Sequence, residues 1–170
     1  MKSFAKSWLS KVVILGMVVG LLLMGAPVYA ATTGTSAVSG TVGEVYVVTI
    51  DDPDVAITLT PGSATNTAGV PVTATVNSNV AWTLKAHEAS GDGKMSTGTD
   101  NLSNALKIKG GDVSDYTALG GDAAPVSLET NGATGGSQAI TPITFQQQVD
   151  WTDIPGDYTI TVTFTVAKKV

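Results

Sequence analysis

Residues 156–166 read GDYTITVTFTV, and this stretch decides the fold class. Its apolar side chains occupy every second position from Tyr158 to Val166, and threonines fill the positions between them. Because side chains alternate between the two faces of an extended chain, the pattern predicts a half-buried β-strand. A long face of β-branched and aromatic residues needs a second apolar sheet to cover it. The stretch therefore predicts an all-β fold of two packed sheets.

The same alternation recurs along the chain before this stretch. The predicted strands are 44–50, 55–60, 72–76, 80–87, 106–109, 125–129, 143–151 and 158–166. Glycine, proline, asparagine and aspartate separate them, and no helical period occurs after residue 30. This spacing predicts a single immunoglobulin-like Greek-key β-sandwich of about eight strands, spanning residues 44–170.

Local details refine this prediction. The polar residues 77–79 separate strands 72–76 and 80–87, which predicts a hairpin. Trp82 shares the apolar face of its strand and is expected in the core. Gln147 interrupts the apolar face of strand 143–151, which favours a bulge or a sheet edge there.

The connecting segments differ in their predicted character. Residues 89–101 contain hardly any apolar side chain and are predicted to form a long loop, the usual place for a binding surface. Residues 112–119 lie between the glycine pairs at 110–111 and 120–121 and are expected to be irregular.

The first thirty residues have the pattern of a signal peptide. Lys2, Lys6 and Lys11 precede or open an apolar run that ends at Met24, and Ala30 ends a small-residue cleavage pattern. The alternative, a retained membrane anchor, is disfavoured because the run from 12 to 24 is shorter than the roughly 20 residues that span a bilayer. We expect export and cleavage, no membrane association afterwards, and a secreted or cell-surface protein whose residues 31–43 form a flexible tail.

Charge and cysteine content limit the partners. Without the three signal-peptide lysines, six basic residues remain against fourteen acidic ones, a formal net charge of −8, and the chain has no arginine. Nucleic acid is excluded because phosphate binding needs clustered Lys or Arg. The chain also lacks cysteine, so packing must stabilise the exported domain without disulfides.

Catalytic residues are not predicted. His87 is the only histidine, there is no cysteine, and the serines lie in turns without a nucleophile-elbow pattern. We interpret His87 as a solvated residue at a strand end. The sequence therefore predicts a protein that is not an enzyme, with no catalytic or cofactor-binding residues.

Two acidic turns are the only metal-like features. Asp51, Asp52 and Asp54 surround Pro53, and Asp112 lies three residues before Asp115. Calcium binds such oxygen ligands, but neither segment has the spacing of a calcium loop, and aspartate is common in turns. We interpret both as solvated turns and assign no metal ligands and no cofactor.

Two segments resemble bacterial WxL-type surface proteins. Trp82-Thr83-Leu84 fits a first Trp-x-Leu motif, and the strand after Asp157-Tyr158 resembles the Gly-x-Tyr-led terminal strand that carries the second. Phe164 and Val166 stand where the second motif has Trp and Leu. The family resemblance implies a β-rich domain attached to peptidoglycan, and the terminal strand is equally similar to those of secreted immunoglobulin-like and pilin-like sandwiches.

These observations predict a non-enzymatic structural protein of the cell surface or extracellular space. Its expected partners are copies of itself, joined by β-strand addition, or a cell-wall polymer. Residues 31–43 alternate as an extended arm would, with Val38 and Val42 as the apolar residues, although an idle linker is the alternative.

An extracellular carbohydrate-binding module is the alternative function. Such modules expose aromatic side chains, whereas Trp82, Trp151, Tyr158 and Phe164 all lie in apolar phases here. This leaves Tyr46, Tyr116 and Phe145 as the aromatic candidates, each of which also fits a core position.

Overall fold

The protein folds as an all-β sandwich. The computed structural model describes residues 37–89, 91–132 and 135–170, and the predicted signal peptide lies outside this range. The strands are β1 Tyr46–Ile50, β2 Asn66–Thr67, β3 Val72–Ser78, β4 Trp82–Glu88, β5 Lys94–Ser96, β6 Asn101–Ala105, β7 Lys107–Gly110, β8 Val113–Ala118, β9 Val126–Gly132, β10 Gly136–Gln147 and β11 Val162–Lys168. No helix in this described range is long and apolar enough to cross a membrane.

Two antiparallel sheets form the sandwich. The larger has the order β1-β3-β10-β7-β8, with β2 added to the end of β10, and the smaller has the order β11-β4-β9. The strands β1 and β11 lie near each other at one side of the sandwich, and β8 and β9 at the other. A separate hairpin joins β5 to β6.

The core lies between the two sheets. Trp82, Leu84 and Ala86 of β4 are fully buried and belong to the same cluster as the inward side chains of β3 and β10. A side chain at Gly132 of β9 would overlap the Trp82 ring, so glycine leaves the room that this ring occupies. The predicted core position of Trp82 is confirmed.

The predicted hairpin through residues 77–79 is wrong. β3 pairs with β1 and β10, whereas β4 pairs with β11 and β9, so the chain crosses between the sheets at this point. Ser78 supports the crossing because its hydroxyl donates to the Val80 carbonyl at 2.7 Å. Alternation predicts a hairpin and a crossing equally well, since both place apolar side chains toward one core.

Three other segments differ from their predictions. Residues 89–101 are not one long loop, because β5 and the start of β6 lie within them. Residues 112–119 contain the regular strand β8. Residues 55–60 keep a strand's alternation of half-buried and exposed side chains but have no ladder partner in the described part of the chain.

The end of β10 also differs from its prediction. Gln147 is fully buried and pairs with Asn66 in β2, so it lies neither in a bulge nor at an unpaired edge. Its Nε2 donates to the carbonyls of Asn104 and Gln148 at 3.0 and 2.7 Å. The irregularity of β10 lies between Ile140 and Ile143, where Pro142 has no N–H to donate.

Candidate functional site

An apolar groove lies at one side of the sandwich. One wall runs from Ile50 to Ile57, after the end of β1, and the other from Tyr158 to Phe164, where the chain enters β11. The groove has a volume of about 700 Å³. The side chains of Val72, Met95, Leu106 and Phe145 also line it. It therefore reaches between the walls to buried residues of the core.

The apolar side chains of both walls are only half-buried. Val55 and Ile57 alternate with exposed residues on one wall, and Ile160, Val162 and Phe164 form the apolar face of the other. Fully burying a side chain of this size contributes about 1.5–3 kcal/mol relative to leaving it in water. A strand or ligand that filled the groove would gain part of this free energy.

The backbone of both walls has unused hydrogen-bonding groups. Residues 55–59 make no backbone hydrogen bond within the described chain. Among the described strands, β11 is hydrogen-bonded only to β4. Just before β11, the Thr159 N–H and C=O both bond to Ser96, at 2.9 and 2.8 Å. In an extended chain, the N–H and C=O groups of successive residues point to opposite sides. The N–H and C=O of Ile160 therefore point away from Ser96.

Aspartates border the end of the groove next to β1. Asp52 and Asp54 line it, and the Asp54 N–H donates to Asp52 Oδ1 at 3.2 Å. The neighbouring Asp51 accepts a hydrogen bond from the Thr73 backbone N–H at 2.7 Å, which holds the pKa of its carboxyl below the usual value. This bond ties the end of β1 to β3.

The segment before β1 is held by two residues, Asn79 and Lys168. Asn79 Nδ2 donates to the Gly43 carbonyl at 2.7 Å, and Asn79 Oδ1 accepts from the Val45 N–H at the same distance. Glu44 forms an ion pair with Lys168 at the end of β11. Residues 37–41 are exposed and belong to no strand. These contacts fix where the chain begins its path into β1.

The acidic turns bond to threonines. Asp112 Oδ2 accepts from the Thr130 hydroxyl at 2.8 Å and from its N–H at 2.9 Å, and these bonds lower the pKa of the carboxyl. The Asp115 carboxylate accepts a long bond, 3.5 Å, from Ser114 Oγ. Across the described residues, no three His, Cys, Asp or Glu side chains come together in a group that could hold a metal ion.

His87 is not the solvated strand-end residue that was predicted. It lies inside β4, and only 12% of its side chain is exposed. Its Nε2 lies 3.8 Å from Asp122 Oδ1 and 3.4 Å from the Thr165 hydroxyl of the neighbouring strand. His87 lies directly opposite Thr163 of β11, and the side chains of Asp122 and Thr165 lie beside its ring.

The prediction that Trp151 lies on the apolar face of a strand is wrong. The side chain is 83% exposed, because β10 ends at Gln147 and a turn follows. The ring contacts Gly62, where any side chain would overlap it.

Asp153 lies in the turn that follows Trp151. Burial opposes the ionisation of its carboxyl group, but hydrogen bonds, led by that of the Ser103 hydroxyl, lower its pKa overall.

The other aromatic candidates occupy different environments. Phe145 is buried, whereas Tyr46 is 40% exposed. The Tyr116 hydroxyl donates to Thr144 Oγ1 at 3.2 Å, and Lys109 Nζ lies 5.9 Å from the centre of its ring. The structure does not bring Tyr46, Tyr116 and Phe145 together in one exposed surface.

Sequence reasoning did not find the groove. It assigned residues 55–60 and 158–166 to separate strands and assumed that each had a partner. The sequence shows the apolar alternation of Val55, Ile57 and Leu59, which pack half-buried against the core, but it carries no signal that this segment lacks a ladder partner among the described residues.

Comparison with known proteins gives no relative for this chain. No family model, characterised protein or solved structure matches it. The positions that resemble Trp-x-Leu motifs lie in neighbouring strands, with Leu84 of β4 directly opposite Val166 of β11.

Proposed function

We propose that this protein is a secreted, non-enzymatic structural protein that joins copies of itself by β-strand addition at the groove. The single observation that carries the proposal is the combination of half-buried apolar walls with unpaired backbone groups. An added strand satisfies both features at once, since its backbone pairs with the wall and its alternate side chains enter the groove. The signal-peptide pattern of residues 1–30 supports an extracellular or cell-surface location.

The chemistry of the chain supports a structural role over catalysis. It has one histidine and no cysteine, and that histidine lies largely buried beside Asp122. The groove itself is lined mainly by aliphatic and aromatic side chains, which favour binding over proton transfer or nucleophilic attack.

The test is the oligomeric state of the chain that begins at Ala31. Light scattering after size exclusion, together with electron microscopy, should show oligomers or filaments whose abundance rises with protein concentration. A monomer at every accessible concentration would contradict the proposal.

A pair of variants connects assembly to the groove. Ile160→Asp places a charge on the groove wall and should reduce assembly, whereas Thr58→Asp places the same charge at an exposed position that does not line the groove and should not. Circular dichroism and the fluorescence of buried Trp82 verify that both variants remain folded. Equal assembly of the two variants would rule out the groove as the site.

The exposed Trp151 favours a second candidate, a carbohydrate-binding module. Its ring has an open surface, and the Asp153 hydrogen bonds to Ser103 hold the surrounding turn. An aromatic ring of this kind can stack against a sugar. Titration with soluble peptidoglycan fragments and with cello-oligosaccharides tests the candidate: binding must occur and must be abolished by Trp151→Ala, while unchanged heat signals would exclude both ligands.

A further inference from the structure

We infer that the strand added at the groove is the N-terminal arm of a second copy, residues 31–43, with Gly40 opposite Phe164. This inference rests on the proposed function and identifies its occupant and register. Val38 and Val42 would then share the face of Gly40, one of them opposite Val162, which lines the groove, and the other opposite Val166, beyond the end of the groove. The described part of the arm, residues 37–43, is exposed and belongs to no strand.

The arm is long enough to pair with β11 on both sides of Phe164. With Gly40 opposite Phe164, residues 37–43 lie opposite residues 161–167, and an extended chain of that length spans about 23 Å. The described part of the arm therefore pairs with the groove wall from Thr161 to Phe164 and continues along β11.

The side chains of the arm match the groove in shape. Val38, Gly40 and Val42 share one face of an extended chain and leave small or polar residues on the other. The two valines are 93% and 87% exposed, so they have apolar surface to bury. Gly40 has no side chain where the wall presents Phe164, and a glycine covered by a cross-strand aromatic ring is a favourable pairing.

The charges of the chain also favour this arm. The mature chain carries a formal net charge of −8, so contact between two copies places like charges near each other. Residues 31–43 contain no charged side chain. The arm can therefore pass Asp52 and Asp54 at the end of the groove without adding an acidic group of its own.

The position where the chain starts into β1 favours a second copy over the same chain. Glu44 is paired with Lys168, at the end of β11 that lies farthest along the strand from the groove. From Glu44 the chain runs toward Ile50, which lines the groove together with Val162. To occupy its own groove, the arm would have to reverse direction at Gly43, whose carbonyl is held by Asn79.

Charge substitutions on the two faces of the arm test the inference. Val38→Asp with Val42→Asp places two carboxylates on the inward face and should weaken assembly at least about tenfold. Ser39→Asp with Thr41→Asp places the same charges on the outward face and should change it far less. Equal effects of the two double variants, in a chain that still assembles, would overturn the arm while leaving self-assembly intact.

Gly40→Val tests the register with a variant whose folding should be unchanged. A side chain at Gly40 meets no atom within 4 Å in the isolated chain, so the variant should fold and melt as the parent does. In the assembled state the valine would compete with Phe164 for one place, and we expect loss of oligomers. Unchanged assembly would overturn the register.

Disulfide trapping distinguishes the possible occupants, because the chain has no native cysteine. Gly40→Cys protein mixed with Phe164→Cys protein should form a disulfide between copies, since directly opposite residues lie at a distance that a disulfide can bridge. Thr41→Cys in place of Gly40→Cys should cross-link much less. A chain carrying both Gly40→Cys and Phe164→Cys should yield linked multimers.

A disulfide closed within one chain would instead show that the arm fills its own groove, which contradicts the inference. Assembly without any cross-link would indicate another occupant and also contradicts it. A parent chain that stays monomeric would refute the proposed function itself. The two failures are therefore distinguishable.

Discussion

The core face of β4 and the terminal stretch 158–166 have the same alternating pattern but differ in burial. Trp82, Leu84 and Ala86 of β4 are fully covered by the opposite sheet. Ile160 and Phe164 remain half-buried beside the groove. Alternation therefore identifies which side chains share a face, while burial depends on whether the fold supplies a partner for that face.

The largest expected effect on stability comes from a substitution on the core face of β4. Trp82→Ala removes a fully buried ring that packs at Gly132, and it should lower the free energy of unfolding by about 3–5 kcal/mol. Trp151→Ala is the matched control, because this ring is 83% exposed, and we expect a change within about 0.5 kcal/mol. Urea denaturation followed by circular dichroism measures both. A loss below about 1 kcal/mol for Trp82→Ala would contradict its place in the core.

Substitution of two phenylalanines compares the stability contributions of a buried side chain and of one beside the groove. Phe145 is 6% exposed and Phe145→Ala should cost about 3–5 kcal/mol, whereas half-buried Phe164→Ala should cost about 1–2 kcal/mol in the monomer. The same unfolding experiment under assembling conditions should raise the cost of Phe164→Ala, since the added strand covers its ring. Equal costs for the two substitutions in the monomer would mean that the groove is closed in solution.

The all-β sandwich could be predicted from the sequence because the period-two pattern is strong in nearly every strand. The core position of Trp82 followed from the same pattern. The connection after β3 could not be predicted, since strands of two facing sheets show the same apolar phases as two strands of a hairpin. Trp151 was misplaced because periodicity does not reveal where β10 ends.

The groove could not be predicted for a related reason. Residues 55–60 have the alternation of a strand, but a ladder also requires a neighbour with free backbone groups, which depends on the whole topology. The burial of Gln147 likewise depends on distant residues, because the carbonyl of Asn104 accepts its amide. Such polar contacts between distant segments leave no periodic signal.

Asn66 links residue 60, which follows the groove wall, to the central strand β10. Its substitution should have a smaller effect on the free energy of unfolding. Its Oδ1 accepts from the Thr60 N–H at 3.0 Å, and its Nδ2 donates to the buried Gln147 carbonyl at 3.0 Å. Asn66→Ala leaves both groups without these partners and should cost about 1–3 kcal/mol. Asn77→Ala, at an exposed position of β3, is the control and should change stability by less than about 0.5 kcal/mol. Similar values for the two variants would show that the Asn66 contacts do not hold residue 60.

The smallest expected effect concerns the dependence of stability on pH. One carboxyl group beside the groove and one at the opposite side of the larger sheet contribute to it. Thr73 lowers the pKa of Asp51 beside the groove, and Thr130 lowers the pKa of Asp112 at the opposite side of the larger sheet. A carboxyl whose folded pKa lies below its unfolded value of about 3.9 stabilises the fold fully above that pH, and this contribution is lost as the pH falls through the folded pKa. We therefore expect stability to decline below about pH 4.

Urea unfolding between pH 7 and pH 3 of Asp51→Asn, Asp112→Asn and the control Asp115→Asn measures these contributions. The first two variants should be less stable than the parent at pH 7 and should lose less on acidification, whereas Asp115→Asn, whose carboxylate accepts the long Ser114 bond, should follow the parent curve. If the two regions unfold together, both substitutions shift one transition. A parent-like acid response in Asp51→Asn and Asp112→Asn would show that the threonine bonds do not stabilise either region. A separate early transition in Asp51→Asn alone would show that the groove region opens independently of the covered core.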